Sequence, residues 1–226
     1  MEPIGIVHSC FDERFGTPRQ PGLVPAATAR LELLPPFDAA DVLRGLEGFS
    51  HVWILYRFHA NQHDRWSPTV RPPRLGGNTR TGVLATRSPF RPNPIGLSVV
   101  ELEAVVVGRE WRGLRLRNHD LVDGTPVLDI KPYLPYADSI PDAVTPDAFA
   151  AEGGRLDVVF APELLHEPPA NDGGWRRLVE QSLATDPRPA FREQDDTREY
   201  GVSIEGYNVR FRVGKDRRVQ VVAIGR

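Results

Sequence analysis

The chain has 226 residues, enough for one full domain and a small second one. With 40% apolar and 26% charged residues and a formal net charge of −2, it has the composition of an ordinary folded protein, not of a uniformly basic nucleic-acid binder. No apolar run reaches membrane-helix length and the first residues lack a signal-peptide pattern. Cys10 is the single cysteine, which excludes an intramolecular disulfide, so a cytoplasmic protein is expected.

In chain order, residues 4–8 form a short apolar run, and residues 28–34 alternate, with Ala29, Leu31 and Leu33 on one face. Residues 38–46 read as one short helix with Asp38 as N-cap and Gly48 just past its end. Residues 52–56 are apolar on both faces, the pattern of a buried central strand. Residues 82–85 and 97–107 are rich in β-branched side chains, residues 108–111 suggest a turn into a strand at 114–116, and residues 127–130 form another. Twenty-two prolines and 20 glycines leave little room for long helices, so the first half reads as an antiparallel β-barrel or sandwich. Residues 135–145 are polar and turn-rich, which places a boundary between domains 1–137 and 138–226. The second domain reads as α+β. It has a strand at 156–160, a helix at 172–184 with Trp175, Leu178, Val179 and Leu183 on one stripe, and a hairpin of 202–213 with 219–224 turning at 214–217.

Between Arg65 and Arg91 lie six arginines (65, 71, 74, 80, 87 and 91) and no acid. On backbone stiffened by Pro and Gly, such a cluster is either a solvated basic loop or a site for phosphate or carboxylate, whose oxygens the guanidinium fork grips in pairs. Residues 89–96, Pro-Phe-Arg-Pro-Asn-Pro-Ile-Gly, are held extended by three prolines and build either a turn or one wall of that site. The loop Asp120-Leu121-Val122-Asp123-Gly124-Thr125-Pro126 offers carboxylates for ribose or ammonium groups, or for Asx capping of the loop itself. His51, His59 and His63 show no recognisable ligand spacing, so no metal is expected; His59, at a strand end, suits hydrogen bonding. Residues 208–218 carry five basic residues against one acid, as an amphipathic edge hairpin or an RNA-backbone contact would. Dinucleotide, P-loop and nucleophile-elbow patterns are absent from the sequence.

These segments together resemble the TrmO (TsaA-like) family. The resemblance lies in Thr86-Arg87-Ser88-Pro89-Phe90-Arg91-Pro92-Asn93-Pro94-Ile95-Gly96, in Pro18-Arg19-Gln20-Pro21-Gly22, in residues 46–53 and 123–133, and in Asp186-Pro187-Arg188-Pro189-Ala190-Phe191-Arg192 with Asn208-Val209-Arg210. It covers nearly the whole chain, densest over 45–135 and weakest over 138–185. One departure is Cys10, where the family often has proline or an aromatic residue; a small buried apolar role is expected for it.

The resemblance implies an S-adenosylmethionine-dependent tRNA methyltransferase. Its reaction is transfer of a methyl group to N6 of threonylcarbamoyladenosine at position 37, in the anticodon loop of threonine tRNA. It further implies a homodimer with cofactor near the interface. Carried over by position, the cofactor site comprises Pro18, Arg19, Gln20, His59, Ala60, Arg87 and Leu97 with the loop His119, Asp120, Leu121, Val122 and Asp123. Arg19 and Arg87 suit the cofactor carboxylate. Asp120 and His59 are candidates for a general base, since a ureido N–H is a poor nucleophile until its proton leaves. Arg71, Arg74, Arg80, Arg91, Arg188, Arg192, Arg210 and Arg212 would hold RNA phosphates around an extruded base. The rival readings are a non-catalytic nucleotide-binding regulator on the same barrel and a plain RNA-binding module.

Overall fold

The computed structural model describes residues 1–60, 66–72, 79–146, 154–188 and 198–226. The first half forms β1 (Gly5–Ser9), β2 (Thr28–Leu33), β3 (His51–Arg57), the two-residue strands β4 (Thr69–Val70) and β5 (Thr81–Gly82), then β6 (Ile95–Val107), β7 (Arg112–Arg117) and β8 (Pro126–Pro132). Six of these close into an antiparallel barrel in the order β1-β2-β7-β6-β3-β8, with β4 and β5 paired apart from it. Alternation drives the closure: Val7, Leu31, Ile54, Val100, Leu114 and Leu116 point inward and are fully buried. Each contributes roughly 1.5–3 kcal/mol of transfer free energy.

β3 departs from the expectation of a strand buried on both faces. Val52, Ile54 and Tyr56 face the core, while Trp53 and Leu55 are half-buried on the outer wall. Trp53 packs there against the Tyr133 ring at 6.0 Å. The helix expected over 38–46 is replaced by two 3-10 turns, Ala40–Leu43 and Leu46–Gly48, because Gly45 takes a left-handed φ of 91° between them. Asp38 caps neither turn; its carbonyl accepts a hydrogen bond from Arg112 Nη1 at 2.9 Å.

A helical turn, Pro135–Asp138, leads out of the barrel. Beyond it, β9 (Asp157–Phe160), β10 (Tyr200–Ile204), β11 (Tyr207–Val213) and β12 (Arg218–Gly225) form a sheet in the order β10-β11-β12-β9, with β9 parallel to β12. The Gly173–Ala184 helix begins at Asp172, whose carboxylate accepts the Gly174 N–H at 2.8 Å, and buries Trp175, Leu178, Val179 and Leu183. The strand expected over 202–213 breaks at Glu205 and Gly206. Both take positive φ, 51° and 75°, and turn the chain into a tight hairpin.

Each sheet has its own core, and the barrel lends a segment to the second. Cys10, Phe11, Leu23, Val24 and Ala27, from the segment between β1 and β2, are buried among the side chains of β9–β12 and the helix. Hydrogen bonds fix this seam. Asp12 Oδ2 accepts from Ser203 Oγ at 2.7 Å and from Gly206 N at 2.8 Å, and Ala26 N donates to Gln181 Oε1 at 2.8 Å. A linear division at residue 137 therefore follows the sheets but not the packing.

Candidate active site

One mouth of the barrel opens into a cleft of about 1450 Å³. Its walls come from residues 14–20, the end of β3 and the residues after it, the β4/β5 ribbon, residues 84–90 and the loop before β8. Residues 86–91 are stiffened from within. Thr86 Oγ1 donates to Val83 O at 2.8 Å and accepts from Ser88 N at 3.2 Å, and Phe90 O accepts from Ser67 N at 3.1 Å. The proline-rich segment therefore serves as turn and wall at once.

The cleft's charge is lopsided. Arg14, Arg19, Arg57, Arg71, Arg80 and Arg87 line it, and among the described lining residues Asp120 is the one carboxylate. Arg87 Nη1 donates to Gln20 Oε1, which ties the two walls together. Arg19 Nη2 donates to two backbone carbonyls, those of Asp186 and Arg188, at 3.1 and 3.2 Å.

Asp120 sits at the inner end. Its Oδ1 and the neighbouring Ser98 Oγ are buried without a hydrogen-bond partner. Burial lifts the Asp120 carboxyl from its ordinary 3.8 to about 6, against the opposing pull of Ser98 and Arg87. Burial and then the Asp120 charge also push the Tyr56 phenol up, so Tyr56 stays protonated. Gly96 makes room for that ring: a Cβ there would lie 2.2 Å from Tyr56 Cζ.

Of the cofactor residues expected from sequence, the cleft gathers Pro18, Arg19, Gln20, His59, Ala60, Arg87, Asp120 and Val122. It does not gather His119, Leu121, Asp123 or Leu97. Alternation along the loop explains the first two: His119 and Leu121 point into the interior and are buried. Burial lowers the His119 imidazole to about 4, and its Nδ1 accepts the Leu121 N–H at 3.2 Å. Its Nε2 faces Cys10 Sγ at 3.9 Å. Cys10 has the buried packing role expected, with its thiol pushed up to about 12 by burial. Asp123 ties the loop to β1 by accepting the Ser9 N–H at 2.8 Å, and its carbonyl meets His59 Nε2 at 3.0 Å. Leu97 is 50% exposed on the outer wall, away from this chain's own cleft.

The arginines expected to hold RNA divide by burial. Arg71 and Arg80 are exposed at the cleft. Arg91 is turned inward, with Nη1 donating to Thr86 O at 2.6 Å and Val83 O at 3.3 Å, so it clips the wall rather than reaching for phosphate. Arg188 is 4% exposed and closed onto Asp186, which corrects its assignment as a phosphate contact. Arg210 and Arg212 are exposed but share Glu199 as ion partner. Arg74 and Arg192, with Arg65 and His63, lie outside the described residues. His51, at the start of β3, packs edge-on to Tyr133, and His59 lies two residues past the end of β3 at Arg57.

Sequence reading missed Tyr56, Ser98, Arg14 and Arg57. The available signal was parity. Ser98 sits between Gly96 and Val100 on the buried face of β6, paired in register with Ile54.

Residues 6–139 match the family model for the tRNA-methyltransferase O N-terminal domain, and residues 154–226 match that for the TrmO C-terminal domain. The chain belongs to the TrmO family. An Escherichia coli family member, tRNA (adenine(37)-N6)-methyltransferase, is 50% identical over 217 residues, covering 94% of this chain and 92% of that one. A Pseudomonas aeruginosa relative, named as a candidate S-adenosylmethionine-dependent methyltransferase, is 46% identical over 99% of this chain and 96% of its own length. The crystal structure of TrmO from Pseudomonas aeruginosa superposes with a TM-score of 0.79 at 40% identity, covering 100% of this chain and 97% of that one. The β-barrel of the TrmO fold is thus the frame on which this cleft is built.

Proposed function

We propose that this chain is an S-adenosylmethionine-dependent tRNA (adenine-N6)-methyltransferase that acts at position 37, on threonylcarbamoyladenosine of threonine tRNA. The observation that carries this reading is the arginine-lined cleft with one carboxylate, Asp120, whose Oδ1 is buried without a hydrogen-bond partner. The donor groups suit the cofactor. Arg19 keeps Nε and Nη1 without a partner among the described residues, Arg87 stands on the same cleft, and Asp120 Oδ1 is orphaned. When bound, S-adenosylmethionine supplies a methyl group already attached to a good leaving group.

The chain's own part is then positioning and proton handling. Arg19 and Arg87 grip the donor's carboxylate, fixing the methyl's direction. Asp120, held near neutrality, takes the proton from the acceptor nitrogen, and the protonated Tyr56 beside it donates a hydrogen bond. His59 is the weaker candidate base, because it is exposed and its Nε2 is engaged by the Asp123 carbonyl. Arg71 and Arg80 hold phosphates flanking the extruded base. A titratable carboxylate at the closed end is of no use to a plain RNA-binding module, which favours the catalyst over that alternative.

The enzyme works as a homodimer in the cytoplasm. Trp53, Leu55, Leu97 and Val99 form one apolar patch on the outer wall, with Trp53 opposite Val99 and Leu55 opposite Leu97. A second copy on this patch would bring Leu97 to its neighbour's cofactor. Nucleoside mass spectrometry of threonine tRNA from cells lacking the gene tests the function. The methylated nucleoside is expected to vanish and to return with the wild-type gene but not with Asp120→Asn. Its persistence in the deletion strain would reject the proposal.

A further inference from the structure

The turn at residues 186–188 contributes no atom to the cleft, yet it fixes one of the cleft's cations. The chain leaves the Gly173–Ala184 helix and Asp186 takes a left-handed φ of 51°. Its carboxylate closes on Arg188. Oδ1 accepts Arg188 Nε at 2.8 Å and the Arg188 backbone N–H at 3.3 Å, while Oδ2 accepts Nη2 at 2.8 Å. The two side chains are only 20% and 5% exposed, so this two-point clamp is shielded from water. Clamping holds the carbonyls of Asp186 and Arg188 side by side, and both accept from Arg19 Nη2.

Two features make this more than a packing contact. Arg19 is exposed and would otherwise sample many rotamers; here it is tethered at one nitrogen across the seam between the sheets. The tether consists of carbonyls, not a carboxylate, because Asp186 is already neutralised by Arg188. Arg19 therefore keeps its full charge, and its Nε and Nη1 remain for an anion.

We propose that the Asp186–Arg188 clamp is a positioning device of the C-terminal half, which preorganises Arg19 for the carboxylate of the methyl donor. This rests on the reading that Arg19 binds that carboxylate. Arg188 then governs donor affinity rather than RNA affinity, although it touches neither.

The test is calorimetric titration of S-adenosylmethionine into the full-length protein, paired with a tRNA-binding measurement and an unfolding curve. The variants are Arg19→Ala, Arg188→Lys, Asp186→Asn and the double variant Arg19→Ala/Arg188→Lys. Lysine keeps the charge and loses the fork; asparagine tolerates the left-handed backbone and loses the carboxylate, so one variant stands in if the other misfolds. Arg188→Lys and Asp186→Asn are expected to raise the donor Kd by roughly tenfold, the scale of the rotamer freedom Arg19 regains, with tRNA Kd unchanged. The double variant should bind donor no worse than Arg19→Ala alone, since the clamp acts only through Arg19. Arg19→Ala without effect on donor binding would overturn the Arg19 reading and the clamp with it. A weakened Arg19→Ala beside unaffected Arg188→Lys and Asp186→Asn would overturn the clamp alone. So would additive losses, or losses confined to tRNA binding.

Discussion

Replacing Asp120 by asparagine should stabilise the fold at neutral pH while destroying its chemistry. Burial raises the carboxyl from 3.8 to about 6, a little over two pH units. At about 1.4 kcal/mol per unit this is a cost of ~3 kcal/mol for keeping the group ionised in the folded state. The sign follows from linkage. Below pH 4 the carboxyl is protonated in folded and unfolded chains alike, so nothing is lost. Between about 4 and 6 the unfolded chain ionises first, and stability falls as pH rises; above 6 the cost is constant. His119 runs the other way. Burial lowers its imidazole from 6.5 to about 4, so stability is lost as pH falls through that interval, by a similar ~3 kcal/mol. The two slopes nearly cancel, and the wild-type stability should be almost flat from pH 4 to 6.5. Asparagine removes one slope. Urea unfolding of Asp120→Asn should therefore show a gain of ~2–3 kcal/mol at pH 8 and a steep loss on acidification, with methyl transfer to tRNA abolished at every pH. A variant that is less stable than wild type at pH 8 would mean that Arg87 pays for the charge, and the placement of the general base would fall with it.

Three more outcomes follow from the geometry. Arg87→Ala should weaken S-adenosylmethionine binding by ~10–100-fold, the loss of about 1.5–3 kcal/mol from a charge-assisted contact, with the melting temperature little changed; unaltered binding by calorimetry would contradict the site. Gly96→Ala would place a Cβ 2.2 Å from the Tyr56 ring, so it should cost roughly 1–3 kcal/mol and lower kcat by displacing Tyr56, as steady-state kinetics and a denaturant melt would reveal. Phe11→Ala should cost ~3–5 kcal/mol and lower the stability of both sheets in one transition, because Phe11 is fully buried in the seam; two separate transitions by hydrogen exchange would show the halves to be independent.

The barrel was legible where a strand repeats with period two and burial follows, as in β2, and less so in β3, whose apolar residues occupy both faces. What failed was local and depended on single backbone angles. Gly45 splits the expected helix, and Glu205 with Gly206 splits an expected strand at the point where its apolar residues change parity, from Val202 and Ile204 to Tyr207, Val209, Phe211 and Val213. The seam was invisible for another reason. Residues 10–27 are rich in Pro, Gly and charge and carry no strand or helix period, although Phe11, Leu23 and Val24 anchor them in the second core. At the site, sequence located the clustered residues but not their orientation: His119 and Asp120 are neighbours, and only the pleat sends one into the core and the other into the cleft.

The arginines carry the same lesson further, since their number says less than what each guanidinium faces. Arg91 is engaged by the wall and Arg188 by Asp186, so neither adds available charge to the cleft. Arg14, Arg57, Arg71 and Arg80 supply it instead, two of them outside the cluster that the sequence made conspicuous. Acids elsewhere on the barrel are paired at short range, Glu32 with Arg30, Glu103 with Arg115 and Asp129 with Lys131. A chain of net charge −2 thus gathers six arginines on one concave surface. That arrangement concentrates the attraction for RNA phosphate at the cleft, where the arginines face a single carboxylate among the described lining residues. Binding of tRNA should accordingly weaken with salt through only the few phosphates near the cleft, and a slope as steep as that of a broadly basic protein would place the contacts elsewhere.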